Sequence, residues 1–259
     1  MDEDRVGAYL ARIRAKRPLR PDAASLRELQ QRHLHNVPFE NLSIHLGEPI
    51  VLQVEPLLDK LIERRRGGFC YELNGAFAAL LSALGFSVTL LAARVFGREG
   101  LGPLFDHLAL RVDLSAPWLV DVGFGTFSQY PLRLDVGADQ NDPQGVFRLL
   151  EREHGDLDLH MNGEPAYRVE PRPRVLAEFE PTCWWHQTSP RSHFTRSLVC
   201  SLLTETGRVT LSGRTLIRTV GNQRDEQVLE SDGEVLAAYR EHFGIVLDRV
   251  PSLPSPASA

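Results

Sequence analysis

Sulfur is scarce in this chain. Its 259 residues include three cysteines, Cys70, Cys183 and Cys200, and two methionines. An odd number of scattered cysteines excludes a closed disulfide framework, and none has metal-ligand spacing, so no metal is expected. A reducing, cytoplasmic setting fits that usage. No apolar run approaches the length that spans a bilayer. The opening Met1-Asp2-Glu3-Asp4 is acidic with no apolar core behind it, unlike a signal peptide. Positive charge is not in excess either: 29 Lys and Arg stand against 34 Asp and Glu, a formal net charge of -5. That balance lacks the electrostatic footprint of a nucleic-acid or anionic-membrane partner. The one tight basic run, Arg64-Arg65-Arg66, reads as the solvated end of a helix. Internal repeats and low-complexity tracts are also missing.

What is there is ordinary globular composition, 42% hydrophobic and 24% charged, enough for one large domain or two to three small ones. To about Gly85 the apolar spacing predicts helices: Arg5–Arg14, Ala23–His35 after Pro21-Asp22, and Leu57–Arg65 after Glu55-Pro56. Pro38 ends the second and leaves Val37–Leu42 extended. After Gly85 the pattern turns to strands, at Val88–Phe96, His107–Val112, Trp118–Val122, Val146–Glu151, Asp156–Met161 and Ala166–Val169. Glu170–Arg174, rich in proline, reads as a connector. Strands at Leu198–Leu203, Val209–Leu211 and Thr215–Thr219 and a helix at Gly233–Phe243 follow, with Pro251–Ala259 as a disordered tail. Helices first and strands afterwards predict an α+β fold.

Chemistry concentrates at Arg66-Gly67-Gly68-Phe69-Cys70-Tyr71-Glu72-Leu73-Asn74-Gly75. Phe77, Leu80, Leu81 and Leu84 recur at helical spacing behind it, which places Cys70 at a helix N-terminus. There, free amide N–H groups and the helix dipole favour a thiolate. A thiol nucleophile needs a base, and the base an orienting group. His107 opens an alternating strand. Asp121 lies among Trp118, Leu119, Val120 and Val122, where a carboxylate must be paired. Strand periodicity does not align the two: a symmetric turn between Asp113 and Trp118 pairs Asp121 with Leu110, and a one-residue shift is needed to bring Asp121 to the face of His107. Among other histidines, His33, His35, His154, His160 and His242 read as solvated, and nothing decides His45. Cys183 and Cys200 read as buried.

The Arg66–Gly75 block, followed by Asp106-His107-Leu108 and Asp121-Val122-Gly123-Phe124-Gly125, closely resembles the arylamine N-acetyltransferases. Val37-Pro38-Phe39-Glu40-Asn41-Leu42 and Ser189-Pro190-Arg191-Ser192-His193-Phe194 extend the likeness in family order across most of the chain. The resemblance implies a Cys70–His107–Asp121 triad. It also implies three parts: a helical bundle over residues 1–86, an antiparallel β-barrel over 87–185, and an α/β lid with the tail over 186–259. Acetyl-CoA is the implied co-substrate, with no bound cofactor, and an arylamine, arylhydrazine or N-hydroxyarylamine takes the acetyl group by a ping-pong path.

Gly123, Phe124, Gly125 and Thr126 are then expected near CoA, and Phe39, Phe69, Tyr71, Phe127 and Phe194 around the acceptor. Tyr71 and the backbone at Phe69–Tyr71 are candidates for an oxyanion site. Glu40 and Glu72 are expected to pair with nearby arginines, and Trp184 and Trp185 either to line the cleft or to pack. The Cys70 thiol is expected to ionise well below the free value of about 8.5. The chain is expected to be a monomer or homodimer. Three rivals share these residues. One is an amide synthase that releases or cyclises an aminobenzoate-primed polyketide chain. The second is a Cys–His–Asp hydrolase, and the third a binding protein on the same scaffold.

Overall fold

The computed structural model describes residues 1–253, so the expected tail lies outside the described residues from 254 onward. Its first residues pack: Pro251 is buried and Ser252 N donates to His45 O at 3.4 Å. Helix α1 (Glu3–Arg12) turns Val6, Tyr9 and Leu10 inward, and Asp2 caps it by accepting from Arg5 N at 2.8 Å. Helix α2 (Ala23–Asn36) starts at Asp22, which accepts from Ser25 N while Ser25 Oγ accepts from Asp22 N. It buries Leu26 and Leu29 and also His33, which is therefore not solvated as expected from its sequence neighbours. His33 is held by Tyr9 OH at 3.2 Å and stacks on Phe77.

Strand β1 (Phe39–Glu40) and helix α3 (Leu42–Leu46) follow. Helix α4 (Val54–Leu58) passes into one π-helical turn over Asp59–Glu63 instead of running on as an α-helix to Arg65. Helix α5 (Cys70–Ala83) buries ten of its fourteen residues, as a helix at the centre of the fold must.

An antiparallel sheet lies against α5. Its strands are β2 (Ser87–Gly97), β3 (Gly100–Leu101), β4 (His107–Asp113), β5 (Pro117–Val120), β6 (Leu132–Arg133), β7 (Gln140–Asp142), β8 (Gly145–Glu151), β9 (Leu157–Met161) and β10 (Glu164–Arg174). They run in the order β6-β5-β4-β2-β10-β9-β8-β7, with β3 added to β2. The side chain of Gln140 on β7 bridges to β6: it accepts from Arg133 N at 2.7 Å and donates to Arg133 O at 2.9 Å. The sheet is therefore nearly closed into a barrel. Leu108, Leu110 and Val112 of β4 join the core around α5, whereas Ala109 joins Phe127, Phe147 and Tyr167 inside the barrel. Both faces of β4 are covered, hence its near-continuous apolar run.

The proline-rich segment 170–174 is the end of β10, not a connector. Its pairing with β9 stops at Val169, while pairing with β2 resumes at Pro173 after a register shift. Pro171 and Pro173 sit where the strand has one neighbour and a missing N–H costs no ladder bond.

Helices α6 (Glu180–Thr188) and α7 (His193–Arg196) lead to a second sheet of β11 (Val199–Leu203), β12 (Gly207–Ser212), β13 (Thr215–Val220) and β14 (Gln223–Val228), with α8 (Asp232–Phe243) packed on it. The order is β1-β11-β12-β13-β14, so a strand from the N-terminal part completes it. Leu42 and Leu46 share its core with Cys200, Leu211, Val235 and Tyr239. The boundaries drawn from sequence are not clean breaks. The line between 185 and 186 falls inside α6, whose Cys183 packs in the helical core with Phe179.

Candidate active site

Cys70 is the first residue of α5 and is 3% exposed. The glycines before it are there for close approach. A Cβ on Gly67 would run into Pro38 O, because the chain passes beside β1, with Glu40 N donating to Gly68 O at 2.8 Å. Glu72 finishes the helix start by accepting from Phe69 N at 3.2 Å. Its partner is Lys60 of the π-turn, at 2.6 Å, and not an arginine. Glu40 does meet an arginine, Arg66, with Nη2 at 3.0 Å from Oε1. Lys60 and Arg66 hold the Glu40 carboxyl below its ordinary value against its burial, whereas burial raises that of Glu72. Burial pushes the Cys70 thiol well up, with Asp106 and Asp121 adding to the push and a bond from the Leu108 N–H opposing it. That is opposite in direction to the helix-terminus effect.

The β4–β5 turn is one residue tighter than the symmetric one. Asp113 pairs with Pro117 and Leu110 with Val120, and continuing that register puts Asp121 across from Ala109, on the face of His107. His107 Nε2 lies 2.7 Å from Asp121 Oδ2, and both residues are buried. Asp121 Oδ2 also accepts from Tyr167 OH at 3.2 Å, and Oδ1 accepts from Asn74 Nδ2 and Gly123 N, both at 2.9 Å. Asn74 Nδ2 also donates to Leu108 O at 2.7 Å and its Oδ1 accepts from Val122 N at 3.0 Å. A fully buried carboxylate is thus satisfied on both oxygens. The roles of Asn74 and Tyr167 escaped the sequence reading. Asn74 stood inside the cysteine motif four residues on, one helical turn from Cys70, but Tyr167 gave no signal beyond strand propensity.

Cys70 and His107 line one cavity of about 510 Å³. Phe39, Phe124 and Phe194 form aromatic wall, and Gly123, Gly125 and Thr126 border it. Gly123 is required by contact: a Cβ there would sit 2.6 Å from Cys70 Cα. Phe69, Tyr71 and Phe127 are buried behind the wall, Phe69 edge-on to Phe194 and Phe127 edge-on to Phe124. The Tyr71 hydroxyl is committed to Phe105 O at 2.7 Å and Asp106 O at 3.1 Å, so it fixes the turn before His107 and is not a free oxyanion donor. His186, on α6, also reaches the wall, with Nε2 3.1 Å from Asp106 Oδ1 and Nδ1 3.2 Å from Ser192 Oγ. Trp184 is exposed, while Trp185 borders the neighbouring cleft. Among the described residues, no group of three or more His, Cys, Asp or Glu side chains is placed to hold a metal ion, and no helix is long and apolar enough to cross a membrane.

A family model described as N-acetyltransferase matches residues 22–251. The arylamine N-acetyltransferase of Mycolicibacterium smegmatis is 37% identical over 258 residues, covering 93% of this chain and 92% of that protein. Human arylamine N-acetyltransferase 1 is 32% identical, covering 94% and 95%. The solved structure of the Mycobacterium marinum arylamine N-acetyltransferase in complex with CoA superposes with a TM-score of 0.85 at 33% identity, covering 93% of this chain and 92% of that one. The chain belongs to the arylamine N-acetyltransferase family.

Proposed function

We propose that this family member moves an acetyl group from acetyl-CoA to an arylamine, arylhydrazine or N-hydroxyarylamine through an acetyl thioester on Cys70. The observation that carries the reading is the His107–Asp121 pair bordering the same cavity as Cys70. With Nε2 engaged by Asp121, Nδ1 is the imidazole nitrogen available to the thiol. Burial opposes a lone thiolate, but transfer of the thiol proton to His107 makes a pair of zero net charge, and Asp121 stabilises the imidazolium. The thiolate attacks the thioester carbonyl, the tetrahedral intermediate collapses, and CoA leaves with the proton returned from His107. The amine then attacks the acetyl-cysteine, His107 takes its proton, and the Cys70 thiol is regenerated. A covalent intermediate between two half-reactions gives ping-pong kinetics.

The cavity fits such substrates. Its aromatic wall suits a flat ring, and Gly123–Thr126 offers backbone beside Cys70 for the CoA arm. The acceptor site is assigned to Phe39, Phe124 and Phe194, with Phe69, Tyr71 and Phe127 supporting them from behind. Incubation with acetyl-CoA alone should leave one acetyl group on Cys70, seen by intact-protein mass spectrometry and absent in Cys70→Ser. A protein left unmodified would overturn the reading in favour of a different acyl donor. Steady release of CoA without any amine would instead favour hydrolysis.

A further inference from the structure

We propose that Arg208 selects substrates that bring a carboxylate into the cavity beside Cys70, carried either on the acyl group or on the acceptor amine. The inference rests on the transferase reading above. Arg208, on β12, borders the Cys70 cavity together with Ser201 and Thr210. With Thr126 it also borders a second cleft of about 580 Å³ next to it. Among the described residues its one side-chain partner is Ser201 Oγ, 3.1 Å from Nη1, and that hydroxyl already pairs with Thr210 Oγ1 at 2.8 Å. Among the described residues no carboxylate comes within ion-pair distance of it. Arg208 is half-buried, and the chain treats its more deeply buried arginines differently. Arg66 is matched by Glu40 and Glu48, and Arg12 by backbone carbonyls including Leu61 O at 3.1 Å.

A guanidinium drawn partly out of water without an anion loses hydration that no opposite charge replaces, and here burial depresses its basicity. The other charges around it do not supply the missing partner. Glu205 borders the second cleft without pairing to it, and His35 stands nearby on α2. Asp106, the acid on the cavity wall, accepts from Val95 N at 3.2 Å and has His186 Nε2 3.1 Å from its Oδ1. The free N–H groups of Arg208 thus form a planar fork beside Ser201 and Thr210 on the cavity wall, the geometry that receives a carboxylate side-on.

The test compares wild type with Arg208→Met and Arg208→Lys in two arms of steady-state kinetics. One arm holds acetyl-CoA constant and compares 4-aminobenzoate with the neutral 4-methylaniline. The other holds 4-methylaniline constant and compares malonyl-CoA with propionyl-CoA. In one arm, Arg208→Met should lower kcat/KM for the charged member at least about 30-fold more than for its neutral match, with Arg208→Lys between. The arm that responds names the source of the carboxylate. Equal losses for charged and neutral members overturn the proposal, as does a wild type that acetylates 4-methylaniline but accepts neither charged substrate. A loss that appears as a raised KM for acetyl-CoA with either amine also overturns it, since the guanidinium then serves the phosphates of the donor. If Arg208→Met does not fold, the wild-type preference and Arg208→Lys decide. Failure of the transferase reading is distinct: wild type would then acetylate no amine at all.

Discussion

Asp121 holds four hydrogen bonds on two oxygens, and an amide cannot replace it without turning a donor toward a donor. In Asp121→Asn the new NH2 faces either Asn74 and Gly123 N or the Tyr167 hydroxyl and His107. The second choice is the milder, and it leaves His107 with its proton on Nδ1, the wrong nitrogen for accepting one from Cys70. Acetyl transfer should fall by about 10³- to 10⁴-fold with little change in fold; stopped-flow acylation by acetyl-CoA measures it. The same logic governs the thiol. Iodoacetamide alkylation of Cys70 in wild type should rise with an inflection below about 8.5, and in Asp121→Asn the inflection should move above it, because burial then acts on the thiol without an imidazolium beside it. A wild-type inflection at or above the free value would show that burial outweighs the ion pair. Gly123→Ala is the steric counterpart. Its methyl meets the Cys70 backbone, so it should cost about 1–3 kcal/mol by urea unfolding and lower the acylation rate with it.

At the scale of elements, the π-turn does what an α-turn in its place would not. Asp59–Glu63 places Lys60 under the start of α5, where its ammonium meets Glu72, and both side chains are almost fully buried. Lys60→Met strands a buried carboxylate and should destabilise by about 3–5 kcal/mol, and adding Glu72→Gln should restore much of it. Chemical denaturation of the single and double variants checks this. The helix to Arg65 predicted from Leu57, Leu58, Leu61 and Ile62 missed the turn because one extra residue in a helix leaves apolar spacing almost untouched. In contrast α5, β2 and β4 were legible, since each buries a long run whose period survives. β14 was not: all six of its residues are exposed, so its pairing with β13 rests on backbone bonds and an exposed Arg218–Asp225 ion pair and leaves no apolar trace. His33 reads as solvated from sequence because its polar neighbours Arg32 and His35 flank it in the chain, yet they lie on other faces of the helix. Its burial without charge has a pH signature. Desolvation lowers it from an ordinary 6.5 to about 3, so folded protein binds fewer protons than unfolded protein between those values. Stability is therefore undiminished above about 6.5 and falls as the pH drops toward 3. Urea midpoints measured from pH 7 to 4.5 should fall more steeply for wild type than for His33→Gln.

For the whole molecule, the two ends of the chain are joined through Val37–Leu42. Asn41 sends Nδ2 to Phe194 O and Ser197 O at 2.9 and 2.6 Å and receives Val199 N on Oδ1 at 2.9 Å. Phe39 and Phe194, both on the cavity wall, flank that tie. Asn41→Ala leaves the Val199 N–H unpaired and the Phe194 and Ser197 carbonyls only His45 Nε2, at 3.0 and 2.9 Å, to share, and should cost about 1–3 kcal/mol. It should also raise KM for the acceptor more than it lowers kcat, which separates a misplaced wall from a damaged nucleophile. Motif order in the sequence named these segments as belonging together. What it lacked was depth, because periodicity says that Phe69, Tyr71 and Phe127 are buried without saying which of them borders a void. The register of β4 on β5 was illegible for a related reason: a turn one residue shorter changes every facing pair yet alters no residue.

The barrel, finally, is sealed along one side by two side chains of β7, Gln140 and Asp142, the latter accepting from Gln129 N at 3.1 Å and Tyr130 N at 3.0 Å just before β6. Between β6 and β7, Gln140 supplies the two hydrogen bonds that a strand residue would supply. Seams of this kind open before the sheet does. Amide hydrogen exchange should therefore find the Arg133 N–H among the less protected of the barrel, while those of β2 and β4 exchange only with global opening. Removing the amide in Gln140→Ala should quicken exchange at Arg133 and leave the β2–β4 protons at their former pace, giving the barrel a hinge line on the side away from its long central strands.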